Sequence, residues 1–247
     1  MEFRAALKRF VPGWVLDARR SLMRGRLFGK NKGRGLQSIF SEAYRSGKWG
    51  TGDGKYWSGN GSSKAQSSAY VEFMVEFLRT HDEIKTYVDI GCGDFQVSGR
   101  VLANVGRPIS YVGVDIVPEL IEHNNQAFGS DDVRFVCADA TTDPLPPGDL
   151  VSVRQVLQHL SNDNVEKVLR NTAGYRYLVV TEGVPVGPNV APNRDIVSGH
   201  YTRSLQLSGV FIEAPPFNMP AEEVLSVPVG GGQRLRTTLS ERGSSRT

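Results

Sequence analysis

The sequence has few of the residues that mark secreted, metal-binding or membrane-spanning proteins. Only two of its 247 residues are cysteine, Cys92 and Cys137. Both fall in or beside predicted buried strands, which indicates reduced apolar side chains and not a disulfide framework. No histidine lies at ligand spacing from either cysteine, so the sequence predicts no metal site. No run of about eighteen apolar residues predicts a membrane span. The first residues lack the apolar core of a signal peptide, so we expect a cytoplasmic protein.

Positive charge is concentrated in one part of the sequence. Residues 1–35 hold ten Lys and Arg against Glu2 and Asp17, a net charge of +8, whereas the whole chain carries +3 and the remainder −5. Apolar residues such as Phe3 and Trp14 lie among these cations. The pattern is typical of an amphipathic arm that makes peripheral contact with the inner face of a membrane, or that docks onto a partner; a solvated tail is the alternative. Because the remainder is acidic, we expect no nucleic-acid partner.

The rest of the sequence divides into a linking region, one domain and a tail. Residues 36–63 combine a helix with a Gly/Ser loop that carries aromatic residues, residues 64–240 form the domain, and residues 241–247 are expected to fray. Apolar residues at helical spacing predict a helix over 64–80. Strands are predicted over 86–90, 111–115, 133–137, 150–154, 177–181 and 234–239, and intervening helices over 96–105, 118–128 and 162–171. This alternation predicts an α/β fold with a parallel sheet and helices on both faces.

The segment VDIGCGDF at 88–95 is a predicted strand that enters a glycine turn and ends beside an acid. Backbone can approach a ligand closely at Gly91 and Gly93 because neither has a Cβ. Such turns build nucleotide pockets at the carboxyl edge of parallel sheets. The third glycine of the dinucleotide spacing is absent, since residue 95 is Phe. The carboxylate of Asp94 suits a ligand with a cationic centre, and S-adenosylmethionine is such a ligand.

Three acids follow successive strands. Asp89 lies near the end of the first strand, Asp115 ends the second, and Asp139 comes just after the third. The intervals of 26 and 24 residues are each about one βα unit. All three acids therefore reach the same edge of a parallel sheet, where an acid after the second strand usually binds ribose hydroxyls.

The motifs resemble those of the class I S-adenosylmethionine-dependent methyltransferases. The resemblance covers residues 64–240 and rests on VDIGCGDF at 88–95, GVDIVPELI at 113–121, VCADATTDPLP at 136–146 and DLVSVRQVLQHLS at 149–161. It is greatest to a bacterial subgroup with a similar SGNGSS segment at 58–63 and a similar region at 193–220. The resemblance implies a Rossmann-like fold with a mostly parallel, twisted, seven-stranded sheet. It also implies transferase activity with S-adenosyl-L-methionine as cofactor and S-adenosyl-L-homocysteine as product.

The resemblance also assigns cofactor-binding residues. The turn Gly91, Cys92 and Gly93 would contact the methionine portion, and Asp89 or Asp94 its amino group. Asp115 would bind the ribose, and Ile116 belongs to the same cofactor-binding set. Asp139 and Ala140 would meet the adenine, and Arg154 and Gln155 complete the predicted set.

Arg154 and His159 lie at or after the end of the fourth strand, where chemistry and acceptor meet in this fold. Both are predicted as catalytic residues. His159 could be a general base, since the ordinary pKa of histidine, near 6.5, suits removal of a hydroxyl proton. The alternative is that His159 packs under the cofactor or caps a helix. Positioning alone lowers much of the barrier to methyl transfer, so a base is not obligatory.

Two polar regions are predicted to bind the acceptor. Trp49 and Tyr56 lie in the Gly/Ser loop, which would fold over a ligand or simply pack on the domain. The second region follows the fifth strand and contains Asn193, Arg194, Asp195, His200 and Tyr201. Its mixture of amide, guanidinium, carboxylate and ring suits a polyol, although turn and surface roles are an equal alternative.

The preferred function from the sequence is O-methylation of a hydroxyl on a sugar, glycan, glycolipid or other small polar acceptor. The sequence after the fourth strand is SVRQV and not Asn-Pro-Pro-Tyr, which disfavours nucleic acids and exocyclic amines as acceptors. A protein side-chain methyltransferase and a non-catalytic, partner-binding scaffold are the alternatives. The complete series of acids favours an enzyme over a scaffold.

Overall fold

The computed structural model describes residues 30–50, 52 and 56–242. Residues 1–29 of the predicted basic arm (1–35) and residues 243–247 of the predicted tail (241–247) lie outside these residues. The helices are α1 Leu36–Arg45, α2 Lys64–Thr80, α3 Gln96–Val105, α4 Pro118–Phe128 and α5 Asn162–Asn171, with the bounds that the sequence predicts. No helix in the described ranges is long and apolar enough to cross a membrane.

A seven-stranded sheet forms the centre of the fold. Its strands are β1 Thr86–Ile90, β2 Ser110–Asp115, β3 Val133–Cys137, β4 Leu150–Arg154, β5 Tyr177–Pro185, β8 Glu222–Gly230 and β9 Gln233–Glu241. The order across the sheet is β3-β2-β1-β4-β5-β9-β8. Strands β1 to β5 are parallel, and β9 is antiparallel to both β5 and β8. The predicted Rossmann-like fold class is confirmed.

The order of the strands creates a crevice beside β1. After β1 the chain builds β2 and β3 on one side, and it then returns to build β4 and β5 on the other. Open α/β sheets bind ligands at such a switch point, outside the carboxyl ends of the strands. The fold therefore directs the search for a site to the ends of β1, β2 and β4.

Apolar side chains on the two faces of the sheet pack against different helices. On one face, Val88 and Val151 pack with Leu169 of α5. On the other, Tyr87 and Leu150 belong to a cluster that includes the apolar side of α2. Complete burial of an aliphatic or aromatic side chain of this size contributes about 1.5–3 kcal/mol. These two layers hold the strand ends in fixed positions.

Helix α1 covers one end of the sheet. Its Leu36 and Phe40 pack against the core of the sheet, and Glu42 accepts hydrogen bonds from Lys30 at 2.8 Å and Arg34 at 2.7 Å. The amide of the buried Asn31 donates to the carbonyl of Ser198 at 3.1 Å. These contacts join the region before the domain to the segment that follows β5.

The segment between β5 and β8 is irregular but well anchored. It contains the short pair β6 Ala191–Pro192 and β7 Ser208–Gly209. Arg203 is 1% exposed and donates to the carbonyl oxygens of Leu160 and Arg194 and to Asn162 Oδ1. One guanidinium thus connects this segment to the loop between β4 and α5.

Candidate functional site

A cavity of about 390 Å³ opens at the carboxyl edge of the sheet. Its walls come from the glycine turn after β1, the ends of β2, β3 and β4, helix α1, and the loop before α2. Of the predicted site residues, it is lined by Asp89, Gly91, Cys92, Gly93, Asp94, Asp115, Ile116, Asp139, Ala140, Arg154, Gln155, His159, Trp49 and His200. The fold therefore brings the whole predicted cofactor set together at one cavity.

The glycine turn has a backbone that side chains do not adopt easily. Gly91 has φ 70° and Gly93 has φ 57°, both in the left-handed region. A Cβ at Gly91 would overlap Val156, and one at Gly93 would overlap Ser58 Oγ. Phe95 stands in place of a third glycine with φ 63°. Its ring packs on aromatic neighbours of α4 and the sheet, which stabilises this unusual conformation.

Asp115 ties the end of β2 to the glycine turn. Its carboxylate accepts hydrogen bonds from the backbone N–H of Gly93 at 3.2 Å and of Val117 at 3.1 Å. Burial raises the pKa of Asp115 to about 6, although these backbone donors act to lower it. Asp139 is held differently, since its Oδ1 accepts from the N–H and hydroxyl of Thr141 at 2.9 and 2.6 Å.

Asp89 and Asp94 have different surroundings. Asp89 is 6% exposed and accepts from three hydroxyls, those of Ser98, Tyr111 and Ser152 at 2.6, 3.1 and 2.5 Å. Burial raises the pKa of Asp89. Asp94 Oδ2 accepts from the N–H of Ser58 and the side chain of Gln96, both at 3.1 Å. Both oxygens of Asp89 are engaged within the protein, whereas these bonds to Asp94 all reach one oxygen.

Buried donors without partners lie beside the glycine turn. Arg154 Nη2 donates to the carbonyl of Gly61 at 2.7 Å, and its guanidinium lies 5.1 Å from the ring centre of Tyr70. Among the described residues, Arg154 Nε and Gln155 Nε2 are buried with no hydrogen-bond partner. Buried polar groups are normally satisfied, so two unpaired donors in a cavity wall fit an anionic ligand group. With the nearby carboxylates they fit the zwitterionic methionine end of S-adenosylmethionine.

The imidazole of His159 is held in one neutral tautomer. The N–H of Gly183 donates to Gln158 Oε1 at 3.0 Å, which fixes the amide so that Gln158 Nε2 faces His159 Nε2 at 3.3 Å. His159 Nε2 therefore accepts, and Nδ1–H donates to the carbonyl of Tyr201 at 3.0 Å. Burial lowers the pKa of His159 to about 4. Such a ring holds a proton poorly at neutral pH, so the arrangement does not favour the predicted base role.

Glu182, near the end of β5, was not predicted as a site residue. Its carboxylate accepts from the backbone N–H groups of Val156, Leu157 and Gln158 at 3.1, 2.8 and 3.1 Å. It thereby holds the turn that presents Gln158 and His159. The sequence signal was present, because an acid inside the apolar run VVTEGV is unusual in a buried strand.

The predicted acceptor residues separate into two groups. Trp49 and His200 line the cavity, and the ring of Trp49 lies 4.8 Å from that of His159. Tyr56 lies outside the lining and contacts Tyr44 and His123, with ring centres 6.1 and 5.2 Å apart.

The remaining predicted acceptor residues are used within the protein. Asn193 donates to the carbonyl oxygens of Phe211, Ala214 and Pro215, and Arg194 donates to that of Gln206. Asp195 accepts from the N–H of Asn162. Tyr201 donates its hydroxyl to the carbonyl of Val197. Asn193, Arg194, Asp195 and Tyr201 do not line the cavity, so their surroundings do not favour the predicted polyol-binding role.

Lys48, Tyr44 and Ser58 line the cavity but were not predicted. Their roles depend on how α1 and the Gly/Ser loop fold back over the sheet, which no local pattern encodes. No group of His, Cys, Asp and Glu in the described part of the chain could hold a metal ion.

A family model described as a methyltransferase domain matches residues 88–175. The matched span runs from within β1 to beyond α5, so it includes the glycine turn, the acids after β2 and β3, and the end of β4. A search of curated proteins gave no match.

Solved structures share the fold. Magnesium protoporphyrin IX methyltransferase from Synechocystis PCC 6803 with bound SAH is 13% identical; the likeness covers 84% of this chain and 100% of that chain, with a TM-score of 0.56. The same protein with bound SAM gives 15% identity, coverages of 85% and 99%, and a TM-score of 0.54. Human N-acetylserotonin methyltransferase in complex with SAM gives 16% identity, coverages of 88% and 62%, and a TM-score of 0.48.

The chain spans only about half the length of several other solved structures that it resembles. For a protein described as a putative sarcosine dimethylglycine methyltransferase, from Galdieria sulphuraria, the likeness covers 50% of that chain. The family match, the strand order and the cavity agree with the resemblance that the motifs indicate. Over residues 88–175 the chain matches the methyltransferase-domain family, and its fold is that of the class I S-adenosylmethionine-dependent methyltransferases.

Proposed function

We propose that the protein transfers the methyl group of S-adenosylmethionine to a hydroxyl oxygen of a small polar acceptor and releases S-adenosylhomocysteine, while the hydroxyl proton passes to water. The observation that carries the proposal is the junction of Gly93 and Asp115 in the cavity wall. It places a side-chain-free backbone next to a carboxylate at the switch point of the sheet. This combination suits a ligand that presents both a ribose and a cationic centre.

Each part of the cofactor has candidate partners among the lining residues. Asp115 would accept from the ribose hydroxyls, and the segment Asp139–Ala140 would bind the adenine. Asp94 would bind the ammonium group, because Asp89 already accepts from three buried hydroxyl donors. The unpaired donors Arg154 Nε and Gln155 Nε2 would receive the carboxylate. The bound cofactor supplies an electrophilic methyl group on a positively charged sulfur.

The protein's own contribution to the reaction is orientation. In-line displacement needs the acceptor oxygen held opposite the leaving sulfur, and such positioning lowers a barrier strongly. Trp49 and His159 form a rigid aromatic wall on this side of the cavity. His159 orients the acceptor in this proposal and does not remove a proton, since its neutral form already uses both ring nitrogens.

The chemical class of the acceptor is a separate part of the proposal. A sugar or glycan hydroxyl stays within the proposal, but the Asn193, Arg194 and Asp195 cluster that suggested a polyol binds backbone and not the cavity. Contact of residues 1–35 with the inner face of a membrane, where a glycolipid acceptor would be found, also remains a proposal. A cytoplasmic location is part of the same proposal.

The test has two stages. Calorimetry with S-adenosylhomocysteine, with NAD as the control ligand, should give binding of the first compound only. Protein incubated with methyl-labelled cofactor and separated glycan, glycolipid, small-molecule and protein fractions should then label one fraction. Label in the protein fraction would support the alternative side-chain methyltransferase. Absence of S-adenosylhomocysteine binding would contradict the proposed function.

A further inference from the structure

The cavity has carboxylate side chains on one side and basic side chains on the other. The lining carboxylates Asp89, Asp94, Asp115 and Asp139 all lie in or after β1, β2 or β3. On the β4 side the lining groups are basic, namely Lys48, Arg154, His159 and His200. Strand β4 pairs with β1 on the side opposite β2, so the two sets lie on opposite sides of the switch point. In the proposed function the acidic side and Arg154 bind the cofactor, which leaves Lys48 and His200 for the acceptor.

Lys48 and His200 are the basic groups at the outer part of this side. Lys48 is exposed and follows α1, and no ion pair with its ammonium occurs within the described ranges. Two other cations near α1, Lys30 and Arg34, are both paired with Glu42. Burial lowers the pKa of His200, and the charges of Lys48 and Lys30 lower it further. The cavity mouth is therefore a place where negative charge is favourable.

The wall next to these groups is apolar and aromatic. Leu36, Phe40 and Tyr44 of α1 line the cavity together with Trp49. Trp49 Nε1 is buried with no hydrogen-bond partner among the described residues. A wall of this kind suits a flat or apolar molecular body, and its unpaired N–H is a donor for an oxygen of that molecule.

We propose that the acceptor is an organic anion whose negatively charged group is bound by Lys48 and His200 and whose apolar body packs against Phe40 and Trp49. This inference rests on the proposed function and narrows its substrate class. A protonated amine would be repelled by the ammonium group of Lys48 and by His200 when that ring is protonated. The same side of the cavity therefore disfavours amine acceptors. Because Lys48 is exposed, its attraction is screened by salt and acts over about 10 Å at ordinary ionic strength.

Benzoate and benzamide are matched probes, since they share a ring and differ in charge. Their affinities are measured by ligand-observed NMR on the full chain saturated with S-adenosylhomocysteine. We expect benzoate to bind about fivefold or more tightly than benzamide at low salt, and this preference to shrink in about 0.5 M NaCl. Equal affinities at low salt would overturn the inference.

Variants that remove a basic side chain test which residues bind the anionic group. Lys48→Ala should abolish the preference for benzoate, and His200→Gln should reduce it. Lys85→Ala is the matched control, because Lys85 is exposed just before β1, at the edge of the sheet opposite the cavity; it should keep the preference. A Lys48→Ala protein that still prefers benzoate would contradict the assignment.

The same samples distinguish a failure of the proposed function from a failure of the inference about the acceptor. Calorimetric affinity for S-adenosylhomocysteine should be unchanged in Lys48→Ala, which also shows that the variant is folded. If the wild type fails to bind S-adenosylhomocysteine, the proposed function fails. If it binds that ligand but does not distinguish benzoate from benzamide, only the inference about the acceptor fails.

Discussion

Gln158 Nε2 lies 3.3 Å from His159 Nε2, so two neighbours in sequence hydrogen-bond through their side chains. The N–H of Gly183 fixes the orientation of the Gln158 amide. A proton on His159 Nε2 would therefore face another N–H donor. Burial lowers the pKa of His159 to about 4, and the facing amide donor gives a proton on Nε2 no acceptor.

Gln158→Glu tests this relationship directly, because it changes one donor group into an acceptor with almost no change in shape. A carboxylate beside Nε2 favours the protonated ring, so the pKa of His159 should rise well above about 4. NMR titration of the His159 Cε1–H resonance measures it. An unchanged titration in Gln158→Glu would show that the amide does not set the tautomer.

The pH dependence of stability should carry the signature of His159. Its folded-state pKa is lowered to about 4 from the ordinary 6.5, so the stabilisation is complete above 6.5 and is lost as the pH falls towards 4. Linkage gives a loss of about 2 kcal/mol between pH 7.5 and 5. In urea unfolding at these two pH values, the wild type should lose about 2 kcal/mol relative to His159→Gln, because the other titrating groups are common to both proteins. Parallel losses in both proteins would argue against a buried neutral imidazole.

Asp115→Ala should weaken binding of S-adenosylhomocysteine by about tenfold or more, because it removes a charged hydrogen-bond acceptor from the cavity. Since the pKa of Asp115 is raised to about 6, wild-type affinity should also fall as the pH drops below that value. Calorimetry measures both effects. Asp163→Ala, an exposed change in the first turn of α5, is the control. Equal affinities of Asp115→Ala and wild type would remove Asp115 from the ribose site.

Substitutions at two glycines distinguish the cost of backbone strain from the cost of steric overlap. Gly106 has φ 79° with no atom within 4 Å of an added Cβ, whereas at Gly93 an added Cβ would overlap Ser58 Oγ. Gly106→Ala should cost about 1 kcal/mol of unfolding free energy, the penalty of a left-handed alanine. Gly93→Ala should cost about 1–3 kcal/mol more and reduce cofactor affinity. Urea unfolding measures the loss of unfolding free energy, and calorimetry measures the cofactor affinity. Equal losses in the two variants would mean that Ser58 moves aside at no cost in free energy.

Deletion of residues 1–29 tests the basic arm while keeping Asn31 and its bond to Ser198. Affinity for S-adenosylhomocysteine should be unchanged, and sedimentation with vesicles that contain anionic lipid should decrease. Neutral vesicles are the control. Vesicle binding that does not change on deletion would refute a membrane role for the arm.

The sequence predicted the strands and the acids of the cofactor side well, because both depend on local patterns. Buried runs such as 86–90 and 150–154 leave little choice of structure, and the spacing of Asp89, Asp115 and Asp139 follows the βα repeat. Strand β8 was missed because it is an edge strand with Pro228 and mixed polarity, which weakens the periodic signal.

The acceptor side was harder to predict because its contacts join distant parts of the chain. Asn193 bonds to backbone 18 to 22 residues away, and Arg203 to a carbonyl 43 residues away. A polar side chain that binds solvent or substrate and one that satisfies remote backbone have the same local sequence. Only the folded chain distinguishes Asn193 from His200.

Ser58 and Asp94 exchange two hydrogen bonds, from Ser58 N to Asp94 Oδ2 at 3.1 Å and from Asp94 N to Ser58 Oγ at 2.8 Å, and Tyr44 contacts the same hydroxyl at 2.9 Å. The region of family similarity, which starts at residue 88, therefore has no complete pocket of its own. A fragment trimmed to that region would leave the glycine turn open to water. The smallest unit able to enclose a ligand must include helix α1. The segment needed for function therefore begins before residue 88, where the sequence similarity to the family begins.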